Sequence, residues 1–359
     1  MLSLLFHILC GCATVMAMAS EFFMPDEGRL HERTIMAWPG NENPSYQGNG
    51  TLVRMKNELT AIAKAISDFE PVTLLVSSEQ ATDARTRFER CGHYGVDIEV
   101  MGMDDLEPWM RDVAPTFVFS QEKRSELHGV DFNFNGWGGR DPSDNSCVAR
   151  QFFRGHRIPR VNASVVLEGG ALETDGQGTL IATKSSILNP NRNPGMCRQG
   201  VEDELHRLLG VSKVIWVPGL KDNDVTDAHI DALARLVAPG KVVLSRPAPG
   251  AGVWTEVYNA TKHILSQATD AKGRALEVID LPEPDSNGED MVVSYVNYHL
   301  VNGAVICPQF GSPKADENAK RILQSLFPER EIVQVYIHEI ALSGGGIHCM
   351  TQQIPASEA

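Results

Sequence analysis

The chain has 359 residues and a formal net charge of −14, from 32 Lys and Arg against 46 Asp and Glu. Such acidity argues against a protein that grips nucleic acid through its phosphates, which needs a basic footprint, and makes a small cation easier to accommodate. At 42% hydrophobic and 22% charged the composition is that of an ordinary globular protein, and a chain of this length buries roughly 75% of its unfolded surface.

In chain order, residues 2–19 are apolar, carry no charge and end in Ala17-Met18-Ala19, which fits a signal-peptide cleavage site. No Lys or Arg precedes Arg29, so the segment lacks the basic start of a signal peptide, and an N-terminal extension is the competing reading. Export follows from the first reading and a cytoplasmic protein from the second. The sequons at Asn49, Asn162 and Asn259 are compatible with export but expected by chance. No other stretch reaches 18 apolar residues, so residues 20–359 are expected to form one domain without a membrane-spanning body. Of the seven cysteines, Cys10 and Cys12 fall in the N-terminal segment. Cys91, Cys147, Cys197, Cys307 and Cys349 show no CxxC pair and no metal-type spacing, so neither a disulfide scaffold nor a zinc site is expected.

The middle of the chain repeats. Gly178-TLIAT, Gly240-KVVLS and Gly303-AVICP each place a glycine before a short apolar run, at intervals of 62 and 63 residues. VVLEGGALETDG, HIDALARLVAPG and SYVNYHLVNG precede them, each readable as a strand entering a hairpin turn. One further step back reaches Ala114 in RDVAPTFVF. Helix-like stretches follow at 200–209, less clearly at 250–268, and at 315–326, where Ala319, Ile322, Leu323 and Leu326 fall on one face. The unit is strand, strand, helix, strand. Five units of about 63 residues would fill the body of the chain and, arranged radially, remove long sheet edges as a propeller does. A two-domain α/β enzyme with accidental glycine spacing is the alternative.

Radial closure would turn the polar residues of the strand before each hairpin toward one axis. Those are Asp112, Glu168, His229 with Asp231, and Asn297, a set of carboxylates with one histidine and one amide that suits a planar cation. His229 and Asp231 are two apart, which on a strand places them on one face. Trp109, Arg111 and Asp112 in EPWMRD offer an aromatic wall and a carboxylate. Cys349 follows Gly344-Gly345-Gly346, a local context that can present a thiol on a turn, the sequence form of a cysteine nucleophile. His348 is its neighbour, and on an extended chain neighbours point apart, so it is not expected to be the base.

MPDEGRLHERTIMAWP, WMRD, NGWGG, LEGG, LNPNRNP, TDAHID, VNGAVICPQFG and GGGIHCMTQQ, in this order, resemble the agmatine deiminase and bacterial-type peptidylarginine deiminase family of guanidino-modifying enzymes, from about Met24 to Pro355. The resemblance implies a five-bladed α/β propeller, the pentein fold, with ββαβ units. It implies Cys349 as nucleophile, His229 as general acid and base, and Asp112 and Asp231 as guanidinium-binding carboxylates. Trp109, Glu168 and Asn297 would support substrate binding. The implied reaction is hydrolytic deimination of a guanidine, agmatine to N-carbamoylputrescine and ammonia first, through a covalent thiouronium and without metal or cofactor. Peptidyl-arginine or another arginine-like compound is the second substrate reading. Agmatine-specific members often carry an acidic residue four before the histidine and glycine just before it; here Val225 and Ala228 stand there, leaving Asp224 or Asp227 as substitutes for the acid. An amidinotransferase or dihydrolase would share the propeller and thiol. A catalytically silent guanidine- or polyamine-binding protein and a cysteine peptidase are readings of other classes. A homo-oligomer stays open, since no residue pattern reads it out.

Overall fold

The structure is a computed structural model that describes residues 20–41, 46, 48–90, 95–141, 145–286 and 291–357. The apolar N-terminal segment, Cys10, Cys12 and Cys91 lie outside the described residues. The fold is mixed α/β, and the described strands form five separate small sheets.

Three sheets repeat the same arrangement. Glu173–Thr174 runs antiparallel to Thr179–Thr183, which is parallel to Lys213–Val217. Ala234–Ala238, Lys241–Arg246 and Glu277–Pro282 follow the same order, as do His299–Val301, Ala304–Gln309 and Glu331–Tyr336. In each, a hairpin joins the antiparallel pair and a helix makes the crossover that a parallel pair needs. Those helices are Arg198–Leu209, Val253–Gln267 and Pro313–Leu326, where the sequence places its helix-like stretches. Pro313 opens the last of them, its fixed φ matching the first helical turn.

The hairpin glycines Gly178, Gly240 and Gly303 have φ of 104, 78 and 84°, the left-handed region that tight two-strand turns require. A fourth sheet pairs Thr116–Ser120 with Leu127–Asp131 and, past the helix Val148–His156, with Arg160–Asn162. Phe22–Phe23 adds to its edge. The fifth is split across the chain: Gln352–Pro355 lies antiparallel to His31–Ala37, which leads through the helix Thr51–Ser67 to Val72–Ser77 and then Val96–Met101. The repeated unit of strand, strand, helix, strand therefore occurs five times, the fifth assembled from both ends of the chain.

The strands are short and most of their buried positions are apolar, as in Val242, Val243 and Leu244 or Val305 and Ile306, and that burial fixes their register. No helix among the described residues is long and apolar enough to cross a membrane.

The polar residues expected on the first strand of each unit are not on strands. Asp112 sits in the single helical turn Met110–Val113, Glu168 caps the turn Gly169–Ala171, and His229 and Asp231 flank Ile230 in the turn Ile230–Ala232. Asn297 and Cys349 likewise lie in loops and turns just ahead of His299–Val301 and Gln352–Pro355. The physical reason is spacing. Same-face residues on a strand stand about 6.6 Å apart and point in parallel, whereas a tight turn at the strand's mouth lets side chains from all five sheets converge on a point.

Replacing Gly303 by alanine adds a Cβ that meets no atom within 4 Å, so the cost is that of the left-handed backbone alone. We expect Gly303→Ala to lower stability by about 1 kcal/mol, read from urea unfolding, with activity per folded molecule unchanged.

Candidate active site

Three of the candidate side chains, from two of the turns, meet around Gly170. A Cβ built there would fall 2.6 Å from His229 Nδ1, 2.9 Å from Asp112 Oδ1 and 3.1 Å from Asp231 Oδ2. Only glycine leaves room for those three groups to approach one another. The Gly170 amide itself donates to Asp112 Oδ1 at 3.1 Å, and Trp137 Nε1 donates to Asp112 Oδ2 at 2.9 Å. Trp137 reaches that position because the backbone from Gly136 to Gly139 is left-handed throughout.

His229 lies between two carboxylates. Its Nε2 is 3.2 Å from Glu168 Oε2, and its Nδ1 is 3.6 Å from Asp112 Oδ1 with no hydrogen-bond partner among the described residues. Burial alone would depress the imidazole, but Asp112, Glu168 and Asp231 outweigh it and lift it to about 9. Burial lifts Asp112 to about 6, Asp231 and Glu168 adding to the effect and His229 opposing it. Glu168 is buried too, yet the proximity of His229 and the Arg192 guanidinium hold it below the usual carboxylate range. Arg192 Nε donates to both its oxygens, at 2.8 and 2.9 Å.

The Cys349 thiol stands on the opposite side. Asn297 Nδ2 is 3.3 Å from Sγ, and Asn297 Oδ1 accepts from the amides of His348 and Cys349 at 3.0 and 3.3 Å, so one side chain fixes both the turn and the sulfur. Asp231 Oδ2 lies 3.7 Å from Sγ. Burial first, then Asp231 and Asp112, push the thiol well above its ordinary value. Asp231 is pulled below the usual range although it is buried, because His348, His229 and Arg235 face it. Its Oδ1 is buried without a partner among the described residues. Trp109 closes one wall: its ring lies 2.3 Å from where a Cβ on Gly345 would be, and its Nε1 donates to Tyr46 Oη, which in turn donates to Glu107.

Asp112, Glu168, His229, Asp231, Asn297 and Cys349 are thus brought together, with Trp109 against the Cys349 loop. Asp224 and Asp227 are not free to take a substrate amine. Asp227 accepts from Arg140 at 2.7 and 2.8 Å, from Arg192 at 2.7 Å and from the Asp222 amide at 2.8 Å, while Asp224 Oδ1 holds Thr226. Both instead shape the loop that delivers His229, in which Asp227 and Ala228 take φ of 62 and 64°. That left-handed pair is unfavourable for residues with a Cβ and is held by the ion pairs around it. Val225 is exposed beside it.

Trp137, Gly170, Arg192, Glu27 and His348 also build the site, and sequence reading assigned none of them a role. Each lies within a family-like segment, NGWGG, LEGG, LNPNRNP, MPDEG or GGGIHC, and that was the available signal. His348 does not turn away from the site as an extended chain would make it do, because residues 347–350 form a turn. Its Nδ1 reaches Asp231 at 2.7 Å.

Among the described residues one group, His31, Glu70 and His299, gathers three potential metal-ligand atoms within 4.8 Å. Those atoms are bonded to protein partners. Glu70 Oε1 takes His31 Nδ1 and Thr34 Oγ1, and His299 lies between Thr34 and Glu27, so the cluster is complete as it stands.

The model of the Porphyromonas-type peptidyl-arginine deiminase family matches residues 23–355. The chain belongs to that family. It is similar to proteins named agmatine deiminase from Medicago truncatula, 37% identical with 93% of this chain and 96% of the relative covered, and from Pseudomonas aeruginosa (strain LESB58), 37% identical with 94% and 96% covered. Among solved structures it resembles the agmatine deiminase of Enterococcus faecalis, with a TM-score of 0.86, 31% identity, and 95% of this chain and 99% of that one covered. Within this family-wide frame the dependence of the site on its buried ion pairs can be tested. Arg192→Met would leave Glu168 and Asp227 buried without their shared cation, and we expect a loss of about 3–5 kcal/mol, measured by thermal or denaturant unfolding.

Proposed function

We propose that the chain is a hydrolase that deiminates agmatine to N-carbamoylputrescine and ammonia. The observation that carries this reading is the pairing of the Cys349 thiol with buried carboxylates that leave one oxygen, Asp231 Oδ1, unclaimed among the described residues. A guanidinium is planar, cationic and rich in N–H groups, and it matches such a surface. The names of the relatives from Medicago truncatula, Pseudomonas aeruginosa and Enterococcus faecalis support the same substrate.

Each residue's role follows from its place. Asp112 and Asp231 receive the N–H groups and orient the guanidinium, Trp109 walls the chamber, and Asn297 holds the sulfur. In the resting site the thiol is protonated, because its pKa is raised by burial and by two carboxylates. A bound cation neutralises those carboxylates and removes much of the opposition to the thiolate, and the thiol gives up its proton to solvent. Sulfur then forms a bond to the central carbon, whose π electrons move onto nitrogen. His229, raised to about 9, is protonated at neutral pH and gives its proton to the departing nitrogen, so ammonia leaves and a thiouronium remains on Cys349. His229, now neutral, takes a proton from water as its oxygen bonds to that carbon. Cleavage of the C–S bond with loss of the adduct's hydroxyl proton releases the ureido product, and the departing sulfur takes up a proton to restore the resting thiol.

We infer in the same way that the five sheets close around the site as a five-bladed α/β propeller and that residues 20–359 form one domain. Delivery of a site side chain from the turn at the mouth of each of the five sheets supports this, as does the sheet shared by both ends of the chain.

One observation favours a second substrate. Asp224 and Asp227 are engaged in the loop, and Val225 stands four residues before His229, where agmatine-specific members often carry an acid. The free amine of agmatine therefore has less support here than the family pattern gives it, and a peptidyl arginine has no such amine.

Incubation of the purified protein with agmatine, arginine and a peptidyl arginine, reading ammonia and ureido product, separates these substrates; kcat/KM is expected to be highest for agmatine, and a peptidyl arginine in first place would move the assignment to the second reading. Cys349→Ser is expected to abolish turnover and Cys197→Ser to leave it intact. Thiol chemistry gives an independent check. At pH 7 and without substrate, iodoacetamide should alkylate Cys349 more slowly than the exposed Cys197, and the Cys349 rate should keep rising beyond pH 9, followed by peptide mass mapping. A Cys349 that reacts faster at pH 7 would mean that its thiolate exists before substrate arrives.

A further inference from the structure

The residue immediately before the thiol carries a side chain that the mechanism above does not use. His348 is buried, and both of its ring nitrogens face carboxylates: Nδ1 lies 2.7 Å from Asp231 Oδ2, and Nε2 lies 2.7 Å from Glu27 Oε2. Both contacts are at hydrogen-bonding distance, so the ring bridges the two acids.

Glu27 comes from the loop before His31–Ala37, more than 300 residues away in the chain. It is fixed from several directions. Arg235 donates to Oε2 at 2.7 Å, the Leu300 amide donates to Oε1 at 2.8 Å, and His299 Nδ1 is 3.1 Å from Oε1. Arg235 is itself anchored by Glu173 at 2.7 Å. The His348 backbone is fixed as well, its amide donating to Asn297 Oδ1 and its carbonyl accepting from Arg111 Nε.

We propose that His348, anchored by Glu27, is a positioning residue that holds the Asp231 carboxylate charged with Oδ2 occupied and Oδ1 alone presented to the guanidinium. The inference rests on the guanidine-deiminase reading and adds to it how that carboxylate is set. Asp231 needs such a partner because it is buried and a second carboxylate, Asp112, shares the chamber. The charged and titratable groups facing it are His348 and Cys349 from their shared turn, His229 from its own turn, Asp112 and Arg111 from the turn Met110–Val113, and Arg235 from the strand Ala234–Ala238. His348 bonds it at 2.7 Å, and the Cys349 thiol donates to the same oxygen at the longer distance of 3.7 Å. One presented oxygen has a chemical consequence. Asp231 takes a single N–H and not the two-pronged grip of an open carboxylate, which leaves the central carbon beside the sulfur 3.7 Å from Oδ2.

The test compares the full-length wild type with His348→Gln and Glu27→Gln, using the guanidine that the wild type turns over fastest and measuring kcat and KM at intervals from pH 6 to 10. With the His348 contact gone, Asp231 ionises only at higher pH. KM of His348→Gln should therefore rise about tenfold near pH 7 and return toward wild type by pH 9, with kcat changed less. Glu27→Gln keeps the His348 ring on Asp231 but weakens its anchor, and should shift KM in the same pH-dependent sense by a smaller factor. A merely structural role would reduce kcat/KM by the same factor at every pH. That result in folded His348→Gln, or an unchanged KM, overturns the proposal while wild-type turnover keeps the deiminase reading intact. A wild type that turns over neither agmatine, arginine nor peptidyl arginine removes both.

Discussion

The site depends on neutralising charge away from water. Asp112, Glu168, Asp231, Glu27, Glu173 and Asp227 are all buried or nearly so, within one connected group of side chains. Unpaired, each would protonate or force the fold open, since removing a single partner from a buried pair costs several kcal/mol. Arg192 spans Glu168 and Asp227, Arg235 spans Glu173 and Glu27, and His348 spans Glu27 and Asp231. Every one of these side chains serves two acids. The sharing lets a dense set of carboxylates survive burial while leaving Asp231 Oδ1 without a partner among the described residues.

Shared cations require that residues distant in sequence meet with small error, and the five repeated sheets provide for it. Each sheet is short, and a turn at nearly the same place leads into its first strand. The residue in that turn is therefore delivered by a rigid hairpin and not by a long loop. Asp112, Glu168, His229 with Asp231, Asn297 and Cys349 are five versions of one structural position carrying different chemistry.

Local signals in the chain made part of this legible. The glycines at 178, 240 and 303 announced hairpins because a two-strand turn needs a left-handed backbone, and their even spacing announced the repeat. The amphipathic stretch ending at Leu326 announced a helix. The reactive set was legible through residue type and the order of family-like segments, whereas its backbone was not: His229 and Asp231 look like strand neighbours, and only packing against Glu168 and Gly170 winds them into a turn. Glu27, Arg192 and Arg235 stayed silent because what they do is defined by partners tens to hundreds of residues away, and an isolated acid or arginine in a sequence resembles any solvated surface charge. The contact of His348 with Asp231 was hidden for a related reason, since neighbours diverge on extended chain and need not do so in a turn.

The sheet built from both chain ends bears on synthesis. Gln352–Pro355 closes against His31–Ala37, and the turn presenting the sulfur lies immediately before it. Ribosomes deliver that strand after all the other strands described here, so the thiol meets the buried acids only after the strands that carry them have been made. Both the sheet and the sulfur's surroundings are then completed by one pairing, in which a segment made late takes its place beside one made early.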